Sequence, residues 1–295
     1  MKSYDIIIFG NYTKDTIVSA AGTRYVDGGG FNYGAHAAAC SGLKVAAVTR
    51  LAQEDDRVIK SLEKMGVDVY PTFTETSTLM QLEYPTDNVD ERVLSCPSSA
   101  GTYTVEQFAG LEAKAYLINA SIRHEVPYKI VKFLADKDGL VVADAQGFIR
   151  IVGANNVLMN AEWPEKRKVL ALIDILKADI VEAESLTGES DLHRAAEILA
   201  GWGPKEIVLT HRDGIVVYAE GEFYEATFHP EPLIGRSGRG DTCIASYAAK
   251  RLSAPPAEAI IWSAALTSLK MEAEGPIKKT KADVEALIKR KYRLG

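Results

Sequence analysis

IGRSGRGDTCIASYAAKRL, residues 234–252, places three glycines, two arginines and one aspartate directly before a helical pattern. The apolar residues that follow recur with the spacing of one helix face: Ile244, Tyr247, Ala248 and Leu252. The glycines leave backbone amides uncovered, and a helix N-terminus presents free N–H groups with a partial positive charge. The stretch therefore predicts either an anion-binding helix N-terminus or a helix that Asp241 caps.

The composition is that of an ordinary globular protein of 295 residues, with 47% hydrophobic and 25% charged residues. A net charge of -6 argues against a nucleic-acid partner, which usually requires a basic surface. The cysteines are too far apart to indicate a disulfide framework or a zinc site: Cys40, Cys96 and Cys243. The apolar run at 4–9 is too short for a signal peptide or a membrane span, so we expect a cytoplasmic protein with no membrane partner.

Short apolar runs alternate with helical patterns along most of the chain. The run at 4–9 indicates a buried strand, and similar runs lie at 44–51, 115–120, 139–145, 178–184 and 206–212. Helical spacing connects two groups of apolar residues: Val58, Leu62 and Met65, and then Val169, Leu172, Ile173 and Leu176. This alternation predicts a parallel sheet wrapped by helices. Ligands of such sheets bind beyond the carboxyl ends of the strands, where Gly10, Asp144 and Thr210 lie.

Two stretches, 11–27 and 68–96, break the alternation and are rich in Thr, Tyr and Val. The second predicts a β-hairpin with a Pro-Thr-Asp-Asn turn. We interpret both as a small β-sheet lid inserted into one domain spanning 1–295; two surface loops are the alternative. Its apolar face would be covered by substrate or by a second subunit, which suggests a homodimer, and the candidates for that face are Val69, Phe73, Leu79 and Leu82.

The glycine triplet at 28–30 precedes an alanine-rich helix pattern and a strand. Its amides could face a ligand, although a tight turn is the commoner reason for a glycine triplet before a helix. The triplet is neither a dinucleotide-binding fingerprint nor a P-loop, because the required glycine spacing and the GK[ST] ending are absent.

Together these segments resemble the PfkB carbohydrate kinase family, the ribokinase-like sugar and nucleoside kinases, over nearly the whole chain. The family's motifs occur in order at Gly10–Asp15, Gly28–Val48, Asp179–Gly188, the strand ending at Thr210 and its hairpin, and Gly238–Thr242. The resemblance implies an α/β fold: a ribokinase-like three-layer αβα sandwich with a mostly parallel sheet and a small β-sheet lid.

The resemblance also implies a kinase that uses ATP and Mg²⁺. Residues 238–240 (Gly238, Arg239 and Gly240) would form an anion hole for the transferring phosphoryl group, and Asp241 would receive the proton of the substrate hydroxyl. Phosphoryl transfer depends mainly on positioning and charge neutralisation, which exposed amides at a helix N-terminus supply.

The remaining roles that the resemblance implies fall into three groups. The substrate would contact Asp15, Asn11, Gly28, Gly29 and Asn32. The nucleotide would contact Asp179, Thr210, Arg212, Gly214 and Gly275, with residues 264–275 flanking its base. Glu182 would order Mg²⁺ through water, since magnesium keeps most of its hydration shell. The alternatives are a solvated loop aspartate at position 15 and an ordinary surface glutamate at position 182.

The chain departs from the family pattern where the sugar and the phosphates would bind. Tyr33 replaces an asparagine that faces the sugar, with Asn32 one place early, and this argues against ribose. Asp179 replaces the magnesium-site asparagine, and His211 and Arg212 displace a glycine. Arg239 replaces an alanine, so it either adds charge beside the phosphates or points to solvent.

The segment Asp144–Arg150 resembles one found in inositol-kinase-like members of the family. Arg123 and Arg150 are candidates to face the cleft, with a surface position as the alternative. We therefore expect a cyclic polyol such as myo-inositol as substrate. Two alternatives remain: a nucleoside kinase with Phe31, Tyr33 or Tyr84 around the base, and a regulator that binds sugar or nucleotide without transfer, although binding alone would need no base at position 241.

Overall fold

The computed structural model describes residues 2–86 and 93–292. Its strands are β1 (Lys2–Phe9), β2 (Thr13–Ser19), β3 (Gly22–Gly28), β4 (Val45–Ala52), β5 (Asp68–Thr74), β6 (Thr78–Glu83), β7 (Val93–Ser98), β8 (Leu111–Ile118), β9 (Leu140–Asp144), β10 (Arg150–Val152), β11 (Leu158–Asn160), β12 (Ile175–Asp179), β13 (Glu206–Thr210), β14 (Gly214–Ala219) and β15 (Glu222–Thr227). Its α-helices are α1 (Gly30–Cys40), α2 (Arg57–Glu63), α3 (Tyr128–Ala135), α4 (Gln146–Ile149), α5 (Lys166–Leu170), α6 (Ile180–Thr187), α7 (Leu192–Ala200), α8 (Arg239–Arg251), α9 (Pro256–Met271) and α10 (Lys281–Lys291).

Nine strands form the main sheet in the order β15-β14-β13-β12-β9-β8-β1-β4-β5. The strands from β13 to β5 run parallel, and β14 and β15 form an antiparallel edge. Successive side chains of a strand point to opposite faces. Accordingly, Ile6 packs into a core with helices α1, α2, α8, α9 and α10, whereas Ile7 packs into a second core with α3, α5, α6 and α7. The predicted three-layer α/β fold is confirmed.

Two predicted element boundaries in the middle of the chain are wrong. The run at 178–184 is not a strand, because β12 ends at Asp179 and α6 starts at Ile180. The Asp179 side chain accepts a hydrogen bond from the Glu182 amide and thereby starts the helix. The prediction of one helix over 169–176 is also wrong, because α5 ends at Leu170 and β12 begins at Ile175. Apolar residues of α5 and of β12 pack into the same core, so the spacing of apolar residues alone did not show where the helix ends and the strand begins.

A separate four-stranded sheet, β3-β2-β6-β7, forms the lid. The prediction that 68–96 belongs entirely to the lid is wrong, since β5 pairs with β4 at the edge of the main sheet and carries Val69 and Phe73 with it. Leu82 packs on the inner side of the lid with Ile17 and Met80, against Ile122 of the body. Asp87 and Asn88 of the predicted hairpin turn lie outside the described residues.

Across 2–86 and 93–292, no helix combines the length and the apolar character that a membrane crossing would require.

Candidate active site

A cavity of about 610 Å³ lies where the carboxyl ends of the main-sheet strands meet the lid. Asp144, Asp179 and Thr210, each the last residue of a strand, line its floor. The start of α1 and the loop 233–241 form further walls, and lid residues such as Met80 and Leu82 close the other side. The cavity is therefore where the strand order predicts the ligand site.

Helix α8 begins at this cavity without a side-chain cap. Its N-cap is Gly238, with φ 76°, and Asp241 lies in the first turn. Asp241 is therefore not the helix cap, and that alternative is wrong. The Arg239 N–H donates to the Arg236 carbonyl at 3.1 Å. Because the first amides of a helix have no intrahelical acceptor, the N–H groups of Gly240 and Asp241 and the positive end of the helix dipole lie at the cavity.

The Asp241 carboxylate faces the cavity from this turn. Its Oδ1 is buried and accepts no hydrogen bond from any of the described residues, 2–86 and 93–292. Burial raises the pKa of Asp241, and the positive charges of Lys177 and Arg150 oppose the rise. A Cβ atom at position 30 would lie 2.8 Å from this oxygen and 2.3 Å from the Asn119 carbonyl oxygen, so Gly30 allows the start of α1 to pack directly against both.

Asp15 faces the same cavity from β2, with only 8% of its surface exposed, so the solvated-loop alternative is wrong. Burial raises its pKa to about 7, with further contributions from the Asp241 and Asp27 charges, against a hydrogen bond from Thr13. Its Oδ1 likewise accepts no hydrogen bond within the described chain. Gly28 packs on this carboxyl group, since a Cβ there would lie 2.7 Å from the Asp15 Cγ, while Gly29 reaches the cavity wall.

A buried lysine that sequence reasoning missed lies beneath the start of α8. Lys177 Nζ is 3.0 Å from Asp144 Oδ2 and 3.4 Å from Glu182 Oε2. Burial opposes the charged ammonium, but these two carboxylates outweigh it and raise the pKa of Lys177. A Cβ at Gly240 would lie 2.8 Å from Nζ, so the ammonium sits directly against the helix start. A lysine inside the apolar run ILKADIV was the available signal, because a buried lysine requires acidic partners.

Glu182 is buried, and both of its carboxylate oxygens are engaged, so it is not a surface glutamate. Oε2 accepts a hydrogen bond of 2.8 Å from the Asp179 amide, and Oε1 lies 3.5 Å from Arg150 Nη2. Both oxygens therefore already have a nitrogen partner in the described chain. Within the described ranges, no group of three or more His, Cys, Asp or Glu side chains could hold a metal ion directly.

Tyr33 occupies the position at which the chain departs from the family pattern. Its ring packs against Gly238 so closely that a Cβ there would clash. Its hydroxyl is buried and makes no hydrogen bond within the described part of the chain. Tyr33 therefore packs against the turn that starts α8 and lines the same cavity as Asp15.

Three of the predicted substrate contacts support the cavity from behind. Arg123 donates to the carbonyl groups of Phe148, Ala161 and Glu162 and does not reach the cavity, so the prediction that it faces the cleft is wrong. The side-chain amides of Asn11 and Asn32 donate to backbone carbonyls at 2.9 Å and hold the loops behind the wall. Arg150, by contrast, lines the cavity as predicted.

The predicted nucleotide contacts are only partly brought together. Asp179 and Thr210 line the cavity, whereas its wall, as far as the structure describes it, does not include Arg212, Gly214 or Gly275. The α9 residues 264–271 are buried in the protein core and offer no surface to a base. Phe31 is also in the core, which leaves Tyr33 and Tyr84 as the aromatic residues of the predicted cradle that reach the cavity.

The chain resembles two solved structures of pyrophosphate-dependent enzymes. One is a pyrophosphate-dependent kinase in the ribokinase family complexed with a pyrophosphate analog and myo-inositol, 33% identical, with a TM-score of 0.87 over 95% of this chain and 99% of that chain. The other is a pyrophosphate-dependent myo-inositol-1 kinase converted into a myo-inositol-3 kinase by two substitutions, an asparagine and a serine each replaced by leucine. It is also 33% identical, with a TM-score of 0.87 over 98% of this chain and 100% of that chain.

A cytidine kinase of Thermococcus kodakarensis is 26% identical over 261 residues, covering 83% of this chain and 87% of the relative. A match to the family described as pfkB family carbohydrate kinase spans residues 4–282. The cavity at the strand ends, the uncapped helix start and the aspartate in its first turn thus belong to a kinase, and the chain is a member of the pfkB family of carbohydrate kinases.

Proposed function

We propose that this kinase phosphorylates a ring hydroxyl of a cyclic polyol, with myo-inositol as the acceptor. The observation that carries the proposal is the pair of carboxylates, Asp15 and Asp241, whose buried Oδ1 atoms face one cavity without a hydrogen-bond donor from the described residues. Adjacent hydroxyls of a polyol would donate to both. The 33% identical neighbour crystallised with myo-inositol supports this acceptor.

Asp241 acts as the general base in this proposal. The acceptor oxygen attacks the phosphorus, its proton passes to Asp241, and the leaving phosphate departs with the electron pair of the broken P–O bond. A hydroxyl is too weak an acid to lose its proton early, so a carboxylate within reach is needed as the new bond forms. The amides at the start of α8 and the Lys177 ammonium compensate the charge on the transferring group.

Inorganic pyrophosphate is the donor that the geometry favours. Five basic side chains line the cavity and suit a compact, highly charged donor: Arg24, Arg150, Lys177, Arg236 and Arg239. Most of the segment expected to flank a nucleotide base, residues 264–271, is buried, and Tyr292 packs over Ser268 there, with its hydroxyl donating to the Thr227 carbonyl at 2.7 Å. The neighbour with a pyrophosphate analog agrees with this choice. ATP, expected from the family resemblance, stays the alternative donor.

Magnesium fits this site as an ion carried by the donor. Glu182 and Asp179 would contact its water ligands, because both Glu182 oxygens are already engaged by Lys177, Arg150 and the Asp179 amide. Bound there, the ion would neutralise charge on the donor phosphates.

The two leucines Leu82 and Leu94 would set which hydroxyl reacts. They are direct cross-strand partners in the lid, and both line the cavity. In the solved neighbour, introducing two leucines converts a myo-inositol-1 kinase into a myo-inositol-3 kinase. We therefore propose that the apolar Leu82–Leu94 pair presents the 3-hydroxyl to Asp241.

The nucleoside kinase is the second candidate, favoured by the cytidine kinase relative and by Tyr33 and Tyr84 at the cavity. One experiment separates the candidates. The purified protein is incubated with Mg²⁺, each acceptor (myo-inositol or cytidine) and each donor (pyrophosphate or ATP), and new phosphomonoesters are followed by ³¹P NMR. Formation of inositol phosphate from pyrophosphate supports the proposal, and Asp241→Asn serves as the inactive control. Formation of cytidine phosphate alone would contradict myo-inositol as the acceptor. Turnover with ATP alone would contradict pyrophosphate as the donor.

A further inference from the structure

Lys270 is a fully buried lysine, 1% exposed, in the last turn of α9, and the proposed chemistry does not use it. Its ammonium donates hydrogen bonds to the carbonyl oxygens of Gly235, at 3.0 Å, and of Ser237. It also lies 5.2 Å above the centre of the Tyr33 ring. A buried ammonium is costly unless it is well partnered, so these contacts account for its presence in the core.

The two carbonyl groups belong to the loop that leads into α8. In a trans peptide the C=O and the following N–H point in opposite directions. With its carbonyl turned toward Lys270, the Ser237–Gly238 peptide must direct the Gly238 N–H away from the lysine, and the Gly235–Arg236 peptide is oriented in the same way. Residues 236–241 line the cavity, and Lys270 is not among its lining residues in the described chain.

We propose that Lys270 is a positioning residue for the phosphoryl donor: it orients the 235–238 peptides so that their amides, together with the start of α8, bind the donor's phosphate oxygens. The inference rests on the proposed donor site. Tyr33 completes the arrangement, since its ring is held between the Lys270 ammonium and Gly238. The lysine therefore sets the backbone geometry through three elements, α1, α9 and the loop before α8.

The protonation state of Lys270 gives a readout that simple packing would not. Burial lowers its pKa to about 8, while the charges of Glu274 and Asp241 oppose the shift. The charges that act on Lys270 are those of these two carboxylates, and the Tyr33 ring packs against its ammonium. A lysine that binds both carbonyls as an ammonium loses that ability as the pH rises through its pKa, so donor binding should weaken on the alkaline side.

The first test is Lys270→Met, which keeps the length of the side chain and removes the charge and the donors. The KM for pyrophosphate should rise about tenfold to a hundredfold, the scale of losing hydrogen bonds from a charged group, while the KM for myo-inositol should stay within about threefold. Arg251→Met is the matched control, because Arg251 binds Glu206 and the Ala254 carbonyl at the far end of α8. The control should lower the melting temperature and leave the donor KM unchanged. A folded Lys270→Met protein with an unchanged donor KM overturns the proposal.

The second test uses the wild-type protein and does not depend on the acceptor, on turnover or on the folding of a variant. Sulfate is the probe, because its charge does not change in this pH range. The affinity of the protein for sulfate, measured by calorimetry, should fall as the pH is raised from about 7 to about 9. Repeating the titration in buffers of different ionisation heat should show that the protein takes up protons when sulfate binds near pH 9. Sulfate affinity that is constant over this range, without proton uptake, overturns the role of Lys270 even if the kinase activity is as proposed.

Discussion

Arg24 of the lid lies 3.0 Å from Glu274, which follows α9 on the body of the protein. Both residues line the cavity, so the ion pair crosses its mouth. The two side chains are 51% and 35% exposed, and a pair this accessible contributes little to stability. Its position gives it a different consequence, because it joins the lid to the body at the cavity.

Breaking this pair should affect substrate capture more than stability. We expect Arg24→Gln to raise the KM for the acceptor about threefold to tenfold and to change the melting temperature little, since a surface pair is worth about 1 kcal/mol or less. The control is Arg194→Gln, which breaks an exposed pair with Glu197 on α7. The reversed double variant Arg24→Glu with Glu274→Arg should recover the KM. If it behaves no better than the single variants, the pair does not hold the lid.

Asp241→Asn tests the proposed base. The substitution keeps the shape of the side chain but cannot take up a proton. Turnover should fall by about 10²–10⁴, the usual contribution of a general base, while acceptor and donor affinities stay within a few-fold. Near-normal turnover with a confirmed acceptor would show that the carboxylate is not the base.

Asp15→Asn should weaken the acceptor and stabilise the protein at the same time. The KM for the acceptor should rise about tenfold to a hundredfold through loss of charged hydrogen bonds, with little change for the donor. In the wild type, the folded-state pKa of about 7 lies above the unfolded value, so the folded protein loses stability as the pH rises toward 7 and the carboxylate ionises. Thermal unfolding should therefore show Asp15→Asn above wild type at about pH 8 and equal to it at about pH 4. A variant less stable than wild type at the higher pH would contradict the buried, unpaired carboxylate.

The orientation of the polyol is tested by the two lid leucines. Myo-inositol 1-phosphate and 3-phosphate are mirror images, so chiral chromatography of the product identifies the reacting hydroxyl. We expect the wild type to give the 3-phosphate, and Leu82→Asn combined with Leu94→Ser to shift the product toward the 1-phosphate. Leu79→Asn is the control on the same strand, because Leu79 does not reach the cavity. An unchanged product in the double variant would remove Leu82 and Leu94 as determinants of orientation.

The parts of the site that sequence could predict are those formed by neighbouring residues. The glycines and Asp241 at the start of α8 lie within four positions of one another, so their geometry follows from the helix alone. Lys177 and Lys270 could not be placed in this way, since Lys177 meets Asp144 and Lys270 meets Ser237 across 33 residues each. Their roles depend on how the sheet and helices bring distant segments together.

The prediction of the fold from the sequence was limited in the same way, by contacts between distant segments. Strand β5 carries the Thr- and Tyr-rich composition of the lid but pairs with β4, because composition does not specify which sheet a strand joins. Arg123 follows a strand end as the site residues do, yet it binds the carbonyls around the β10 hairpin. A strand end places a residue near the site edge without fixing the direction of a long side chain.

Strand β1 lies between β4 and β8, and this arrangement has a consequence for biosynthesis. During translation β1 can pair with β4 once residue 52 has been made, but its other edge stays unpaired until β8 is complete at residue 118. From β8 onward each new main-sheet strand adds beside the one made before it, in the order β8-β9-β12-β13-β14-β15. The nascent chain therefore carries an apolar, open strand edge for more than a third of its length, the kind of edge on which other chains can add. Chaperone dependence and aggregation during expression should accordingly respond most to changes in β1 and β8, and least to changes in the C-terminal hairpin.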